Sequence, residues 1–392
     1  MSSLIPPDAD IAAYIKDVRQ QLHRIPELAM AEKKTSALIE AELRKLGFSP
    51  RCNIAGTGII ADLVFPAPGP TVMIRADMDA LPIQEETGLD CVSLHDGTMH
   101  ACGHDGHMAM VLGAAKHLVQ CSRTAAGKNL CGTVRFVFQP AEESACGAQA
   151  MMDAGVLEGV DCCLATHIWP EIPKGTIGVR EGYLMAAMGK FTLTLTGKGG
   201  HGSQPHLCTD VVDAAAQVTC ALQHVVSRRI NPVLPAVLTV GSLQAGHTYN
   251  IIPQTARIMG TTRAFHQEVR ESWENHIRQV VEGVCAGAGV LAAVDFSEED
   301  GPVDNDPAVT SVVREAAIDV VGKSRVVDPG LSMTSEDFAR YQTKVPGCLF
   351  FLGAGTASGK PLHNSGFTFN EEILITGTAV FCSAVARLLG QS

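Results

Sequence analysis

The order of apolar and polar positions predicts helices and short strands that alternate along the first part of the chain. Residues 11–47 carry apolar side chains at helical spacing, interrupted near Pro26 and ended by Gly47, so two helices are expected there. A third helix is expected over residues 108–119. Short β-rich runs bounded by proline and glycine lie at residues 58–65, 71–75 and 133–139. This alternation predicts an α/β sheet that is covered on both faces.

The middle of the chain has a different pattern. Residues 190–196 alternate strictly between apolar and polar side chains, which predicts a strand with one solvated face. The segments that follow predict, in order, a helix, two strands, a helix and a strand, at residues 210–229, 236–244, 254–263, 272–286 and 291–296. The order β-α-β-β-α-β predicts a small open sandwich with one free strand edge, which is a plausible dimer surface.

After residue 300 the first pattern returns, with a helix at 307–321, a strand at 348–352 and a helix at 372–389. We therefore expect a discontinuous α/β domain formed by residues 1–186 and 301–392. The domain inserted into it would span residues 187–300.

Composition and charge narrow the class of protein. With 392 residues, of which 46 % are apolar, the chain is long enough for two or three globular domains. The 41 acidic and 30 basic residues give a net charge of −11, and without a basic block this argues against a nucleic-acid partner. No signal peptide and no apolar run of membrane-spanning length are visible, and the 13 cysteines form no CxxC pair. We therefore expect a cytoplasmic protein with free thiols and no membrane partner.

Residues 99–107 concentrate chemistry in one short segment, Met-His-Ala-Cys-Gly-His-Asp-Gly-His. Thiol, imidazole and carboxylate groups bind borderline divalent metals, and the glycines let the backbone turn tightly enough for them to converge. A Cys-x-His pair also recurs by chance in a chain this rich in both residues. Cys102 and His104 could therefore be packed structural residues, and other positions must decide.

Further polar residues follow predicted strands, where open α/β sheets bind their ligands. They are Asp77, Asp79, Glu142, Glu143, His167 and His363. Taken singly, each also fits a turn, a solvated acidic loop or a structural histidine. In the inserted segment, the glycines around His201 would allow a ligand close to the backbone, or form an ordinary turn.

Taken together, these stretches resemble one family. They are Arg75-Ala-Asp-Met-Asp-Ala-Leu-Pro82, His100-Ala-Cys-Gly-His-Asp-Gly-His107, Gln139-Pro-Ala-Glu-Glu143, His167-Ile-Trp-Pro, Gly197-Lys-Gly-Gly-His-Gly-Ser203, Tyr249-Asn-Ile-Ile-Pro253, Ser335-Glu-Asp-Phe338 and Leu362-His-Asn364. Their order resembles that of the binuclear metal amidohydrolases that include hippurate hydrolase, auxin–amino-acid conjugate hydrolase and N-acyl-amino-acid amidohydrolase. These belong to the aminoacylase and carboxypeptidase metallopeptidase superfamily, and the resemblance covers nearly the whole chain.

The resemblance implies a metallopeptidase-like catalytic domain and a ferredoxin-like lid and dimerisation domain in the ranges given above. It also implies two divalent metal ions, Mn²⁺ or Zn²⁺. Cys102 would bridge them, and Glu142 would be the general base. The remaining ligands would be His104, Glu143, His167 and His363. The groups that orient these ligands would be Asp77, Asp79 and Asp105, with Asp79 counted among the catalytic residues.

The inserted domain would supply the rest of the site. By resemblance, His201 reaches into the active site of a partner subunit and donates to the oxyanion, so a homodimer or a dimer-based homo-oligomer is expected. Asn250 and Arg263 would hold the carboxylate of the substrate. The expected reaction is hydrolysis of the amide bond of a small-molecule N-acyl amino acid. One departure from the family is visible, because Thr334 and Ser335 stand where smaller residues are usual.

Three alternatives stay open. A dipeptidase or an N-carbamoyl-amino-acid hydrolase would use the same fold and metals with a different acyl pocket. A binding protein that kept the fold would have no activity, although the proposed base and ligands are all present. A thiol nucleophile at Cys102 with His104 as its base would need no metal.

Overall fold

The computed structural model describes residues 6–125, 127–355 and 359–390. The chain forms two compact units. Unit 1 comprises Met1–Leu184, Asp304–Gly330 and Asp337–Ser392. Unit 2 comprises Met185–Val303 together with Leu331–Glu336, a segment that the hydrophobic pattern did not place there.

The helices of the described residues are α1 (Ala9–His23), α2 (Lys33–Lys45), α3 (His104–Ser122), α4 (Gly147–Asp153), α5 (Val211–Arg229), α6 (Gln267–Ala288), α7 (Pro307–Val321), α8 (Ala339–Gln342) and α9 (Leu374–Leu389).

The strands in the same part of the chain are β1 (Arg51–Ile54), β2 (Gly58–Val64), β3 (Ala67–Asp77), β4 (Cys131–Gln139), β5 (Cys162–Trp169), β6 (Ile177–Gly178), β7 (Gly182–Met185), β8 (Ala187–Thr196), β9 (Gly200–His201), β10 (Ala236–Ala245), β11 (Ile251–Ile252), β12 (Thr255–Ala264), β13 (Leu291–Asp300), β14 (Val303–Asn305), β15 (Val326–Val327) and β16 (Gly347–Gly353).

Unit 1 is built on an eight-stranded sheet of order β1-β2-β4-β3-β5-β16-β6-β15. Its central strands β4, β3, β5 and β16 are parallel neighbours. Every residue of β5 and of β16 is buried, as expected for parallel strands that are covered on both faces. Apolar residues of α1, α3, α7 and α9 pack with these strands in one core. The carboxyl ends of the central strands therefore open at one edge of the sheet.

Local signals explain where two of the helices begin. The Asp306 carboxylate accepts a hydrogen bond from the backbone N–H of Val309, and Pro307 opens α7, so the helix starts where its cap predicts. Helix α3 begins at His104, four residues before the helix predicted over residues 108–119. The residue before it, Gly103, has a φ of 85°. The first turn of α3 buries polar side chains, so apolar periodicity could not reveal it.

Unit 2 contains a four-stranded antiparallel sheet of order β10-β12-β8-β13. Residues of β8 alternate between buried and more exposed positions, and the buried face packs with α5 and α6. The sequence of elements is β-α-β-β-α-β, with the short pair β9 and β11 added. The predicted fold class, an α/β unit with an inserted ferredoxin-like unit, is confirmed.

The stretch Glu371–Leu389 is long and apolar enough to cross a membrane, judged by length and composition alone. Thr376, Thr378 and Ser383 interrupt its apolar run. Since 61 % of it is buried inside the protein, it serves as a core helix of unit 1.

Candidate metal centre

The candidate site lies in unit 1, at the carboxyl ends of three neighbouring strands. Asp77 ends β3, Glu142 and Glu143 follow β4, and His167 lies near the end of β5. The first residue of α3, His104, is added to these. Parallel strands that lie side by side bring the residues after them to the same edge of the sheet.

A first group of metal-binding atoms forms around Cys102. Its Sγ lies 3.5 Å from Nε2 of His167. The ligand atoms of Cys102, His104 and His167 all lie within 4.8 Å of one another, and all three residues are buried. Sulfur and two imidazole nitrogens form a donor set that suits Zn²⁺.

A second group of atoms shares the same thiol. Ligand atoms of Cys102, Glu143 and His363 lie within 4.8 Å of one another, and Nε2 of His363 is 3.3 Å from Oε1 of Glu143. Oε2 of Glu142 and Oε1 of Glu143 are each 3.9 Å from Nε2 of His104. The five residues predicted as ligands are thus brought together, with Glu142 beside them.

Backbone carbonyls orient the two buried histidines. Nδ1 of His104 donates to the carbonyl oxygen of Asp79 at 2.9 Å, and Nδ1 of His167 donates to the carbonyl oxygen of Ile168 at 2.8 Å. A carbonyl can only accept, so Nδ1 carries a proton in each ring, and the neutral form of each ring directs the lone pair of Nε2 toward the neighbouring ligand atoms. This is the usual way in which proteins prepare a histidine for metal binding.

Two buried atoms at the centre show that a cation fits there. Nε2 of His104 and Oε1 of Glu143 form no hydrogen bond of suitable geometry with any of the described residues. Buried polar atoms are almost always satisfied, and a divalent cation would satisfy both of these. The sulfur, nitrogen and carboxylate donors suit Zn²⁺ or Mn²⁺.

The electrostatics of the site also favour a cation. Burial and the carboxylates of Glu143 and Glu142 raise the pKa of the Cys102 thiol well above its usual range. Burial alone would lower the pKa of His104, but the surrounding carboxylates, Asp77 foremost, raise it to about 10. Without a cation, the Cys102 thiol and the His104 ring therefore keep their protons. A bound divalent cation would replace those protons and stabilise the thiolate.

Asp77 and Asp79 form hydrogen bonds that hold other residues of the site in place. The Asp79 carboxylate accepts hydrogen bonds from the backbone N–H groups of Glu142 and Glu143, each at 3.0 Å. Asp77 accepts from Nδ1 of His107 at 2.7 Å. Burial alone would raise the pKa of Asp77, but the facing imidazoles of His104 and His107 outweigh it and hold that pKa well below its usual range.

Asp77 belongs to a buried polar network that the sequence analysis did not find. Arg75 donates to Asp77 at 2.8 Å, to Gln139 at 2.9 Å and to Asp337 at 2.7 Å. His107 accepts from the backbone N–H of Ile168 at 2.9 Å. A signal for Arg75 was present, because it stands two residues before Asp77 and therefore on the same face of β3.

Asp105 faces a different set of residues from the other predicted carboxylates. Its Oδ2 lies 2.7 Å from Nε of Arg19 and 2.8 Å from Nδ1 of His23, both on α1. Asp105 therefore holds the first turn of α3 against α1.

The remaining predicted residues belong to unit 2. His201 is exposed on β9, and the backbone N–H of Gly202 donates to the carbonyl oxygen of Asn250 at 2.9 Å, so His201 and Asn250 lie beside each other. The backbone N–H of Ser203 donates to Nδ1 of His201 at 3.1 Å, which leaves the ring proton on Nε2. Arg263 is half-buried near the C-terminal end of β12, and its guanidinium donates to the carbonyl oxygen of Thr262 at 2.9 Å.

The segment Leu331–Glu336 of unit 2 contains the departure from the family pattern. Oγ of Ser332 lies 2.7 Å from Oγ1 of Thr334, and Ser335 donates to the sulfur of Met188 at 3.7 Å. The hydroxyl groups of Thr334 and Ser335 thus both form hydrogen bonds to other residues of unit 2.

Thiol, imidazole and carboxylate donors that converge at the carboxyl ends of a parallel sheet form the kind of site that metal-dependent hydrolases use. The model of peptidase family M20/M25/M40 matches residues 73–387. The chain belongs to this family. The predicted resemblance and the prediction of an amide-hydrolysing enzyme of this class are confirmed.

Individual relatives agree with this assignment. The chain is 40 % identical to N-acetyl-L-cysteine deacetylase of Bacillus subtilis, over 95 % of this chain and 87 % of the relative. It is 38 % identical to IAA-amino acid hydrolase ILR1-like 5 of Arabidopsis thaliana, over 97 % of this chain and 88 % of that protein. The crystal structure of the Bacillus subtilis YXEP protein, a dinuclear metal binding peptidase from the M20 family, matches with a TM-score of 0.85 at 36 % identity. That match covers 98 % of this chain and all of the other.

Proposed function

We propose that this protein hydrolyses the amide bond of N-acyl amino acids and releases a carboxylic acid and a free amino acid. The observation that carries the proposal is the convergence of the five donor residues on two overlapping groups that share Cys102. The names of the Bacillus and Arabidopsis relatives describe substrates of this kind, namely an acylated amino acid and an amino-acid conjugate.

The donor residues would hold two divalent cations. Cys102 would be common to both ions, with His104 and His167 on one side and Glu143 and His363 on the other, as the two groups suggest. When bound, such ions lower the pKa of water toward 7 and polarise a carbonyl group. We expect Zn²⁺ or Mn²⁺, because the donors include a thiolate, imidazoles and a carboxylate.

Glu142 is the proposed general base. Its side chain reaches within 3.9 Å of His104 and is 12 % exposed, so it lies at the margin of the buried donors. The bond from its backbone N–H to Asp79 fixes the start of this loop. The Glu142 carboxylate would take a proton from the attacking water and deliver it to the departing nitrogen.

Substrate recognition is assigned to unit 2. Asn250 and Arg263 would hold the free carboxylate of the amino acid, for which a guanidinium can supply two parallel hydrogen bonds. His201 would donate from Nε2 to the oxyanion in the active site of a partner subunit, in a homodimer. The tautomer set by Ser203 supports this role because it places the proton on that nitrogen.

The proposal is tested with metal-reconstituted protein and a panel of substrates, which would contain hippurate, other N-acyl amino acids, their methyl esters, dipeptides and N-carbamoyl amino acids. We expect turnover of N-acyl amino acids and weak turnover of the esters, which lack the charge that Arg263 would bind. Preferential turnover of dipeptides or N-carbamoyl amino acids would overturn the substrate class while leaving the metal chemistry intact. The free thiols support a cytoplasmic setting for this reaction.

A further inference from the structure

We propose that Arg19, on α1, is a positioning residue of the metal centre that joins three chain segments leading to or from the metal ligands. The inference rests on the proposed function, since it concerns the geometry of those ligands. Arg19 is 2 % exposed, so its charge is compensated within the protein.

The first segment is the start of α3. Nε of Arg19 lies 2.7 Å from Oδ2 of Asp105, and both side chains are buried. Asp105 is the residue after His104 in the first turn of α3. Because neighbouring residues of a helix are rigidly connected, fixing the Asp105 carboxylate also fixes the direction from which His104 approaches the centre.

The second segment follows His363. A terminal nitrogen of Arg19 donates to Oε1 of Glu371 at 3.2 Å, and its guanidinium carbon lies 4.9 Å from the centre of the Phe369 ring. These two residues come at the end of the loop that contains His363. His363 has a φ of 61°, and its backbone N–H donates to the carbonyl oxygen of Ala101 at 2.9 Å. A strained backbone of this kind persists only when the surrounding structure holds it.

The third segment leads into Cys102. The same nitrogen of Arg19 lies 3.5 Å from Sγ of Cys91. His23 extends the network, because its Nδ1 is 2.8 Å from Asp105 and its Nε2 is 3.1 Å from Glu85. Glu85 and Cys91 both belong to the chain between β3 and Cys102.

The chemistry of the guanidinium explains why arginine occupies this position. It is planar, carries five donors and stays charged, so one side chain can hold Asp105, Glu371 and the Phe369 ring at once. A lysine could hold only one or two of these partners with comparable geometry. The contacts of Arg19 therefore hold three segments at a set spacing, a function that charge alone does not supply.

The test measures metal affinity in purified variants by competition with a chelator, with the fold checked by circular dichroism. We expect Arg19→Met to raise the dissociation constant for Mn²⁺ or Zn²⁺ by about ten- to a hundredfold. Arg19→Lys should raise it less. The matched control is Arg135→Met, which removes an arginine that binds both oxygens of Asp62, at 2.9 and 3.0 Å.

The outcomes separate the possibilities. Metal affinity of Arg19→Met within about twofold of the unaltered protein would overturn the proposal. So would an equal loss in Arg135→Met, because it would reveal a general effect of stability. If Arg19→Met does not fold, Arg19→Lys decides, and unchanged affinity in that variant counts against Arg19. Failure of the unaltered protein to bind either metal would instead contradict the proposed function.

Discussion

The Asp79 carboxylate accepts a hydrogen bond from the backbone N–H of Glu142, with 3.0 Å between nitrogen and Oδ1. Its second oxygen accepts from the next backbone N–H, and its own carbonyl oxygen accepts from Nδ1 of His104. A single residue after β3 therefore sets both the loop that carries the proposed base and the ring of a proposed metal ligand.

Asp79→Asn should lower kcat/KM by about a hundredfold. An amide has one accepting oxygen, so one of the two loop N–H groups would face an NH₂ group and the loop would shift. The measurement is steady-state turnover together with bound metal. Asp153→Asn is a suitable control, because Asp153 accepts from the exposed Gln149 and lies on α4. Turnover of Asp79→Asn equal to that of the control would contradict the role given to Asp79.

Glu142→Gln should reduce kcat by about 10²- to 10⁴-fold while the protein keeps its metal. Glutamine preserves the shape of the side chain but cannot accept the proton. The adjacent variant Glu143→Gln should lose metal as well as activity, because Glu143 lies in the second donor group. Kinetics and elemental analysis of both proteins check this, and a near-normal rate in Glu142→Gln would remove it as the base.

Dialysis against a strong chelator should abolish activity, and added Mn²⁺ or Zn²⁺ should restore it. The apoprotein should also melt at a lower temperature, since a ligand at about a hundred times its dissociation constant stabilises the folded state by about 2.7 kcal/mol. Thermal unfolding and turnover with and without metal test both points. Full activity in the apoprotein would favour Cys102 as a thiol nucleophile with His104 as its base.

Arg263→Met should raise KM for N-acyl amino acids, with a loss of about 2–5 kcal/mol in transition-state binding if the substrate carboxylate is left without its partner. The same substitution should hardly change turnover of the methyl esters, which carry no such charge. Rates for both substrate series give the difference directly. An equal loss on acids and esters would show that Arg263 acts on the fold of β12 instead.

The fold was predictable where signals are local. Helix α7 was expected at residues 307–321 and is found there, because Asp306, Pro307 and Gly322 mark its ends. The start of α3 was missed because its first turn buries His104 and Asp105, and buried polar residues do not follow the apolar period.

The candidate site was predictable to the extent that strand ends define it. Glu142, Glu143 and His167 follow or end buried strands, and the structure gathers them with Cys102. Arg75 and Asp337, which lie 262 positions apart, could not be paired from the sequence, because nothing local indicates which distant carboxylate a buried arginine meets. The roles of these residues stay predictions until the variants are measured.

Among the five donor residues, His363 differs in its accessibility. Its side chain is 52 % exposed, whereas Cys102, His104 and His167 are buried and sit on or beside the rigid sheet and helix. A cation can reach or leave the pocket only where a donor can swing aside, and a loop residue meets solvent with the least disturbance. His363 should therefore control metal exchange. The rate at which bound metal is replaced should respond to substitution of this residue far more than to substitution of the three buried ones.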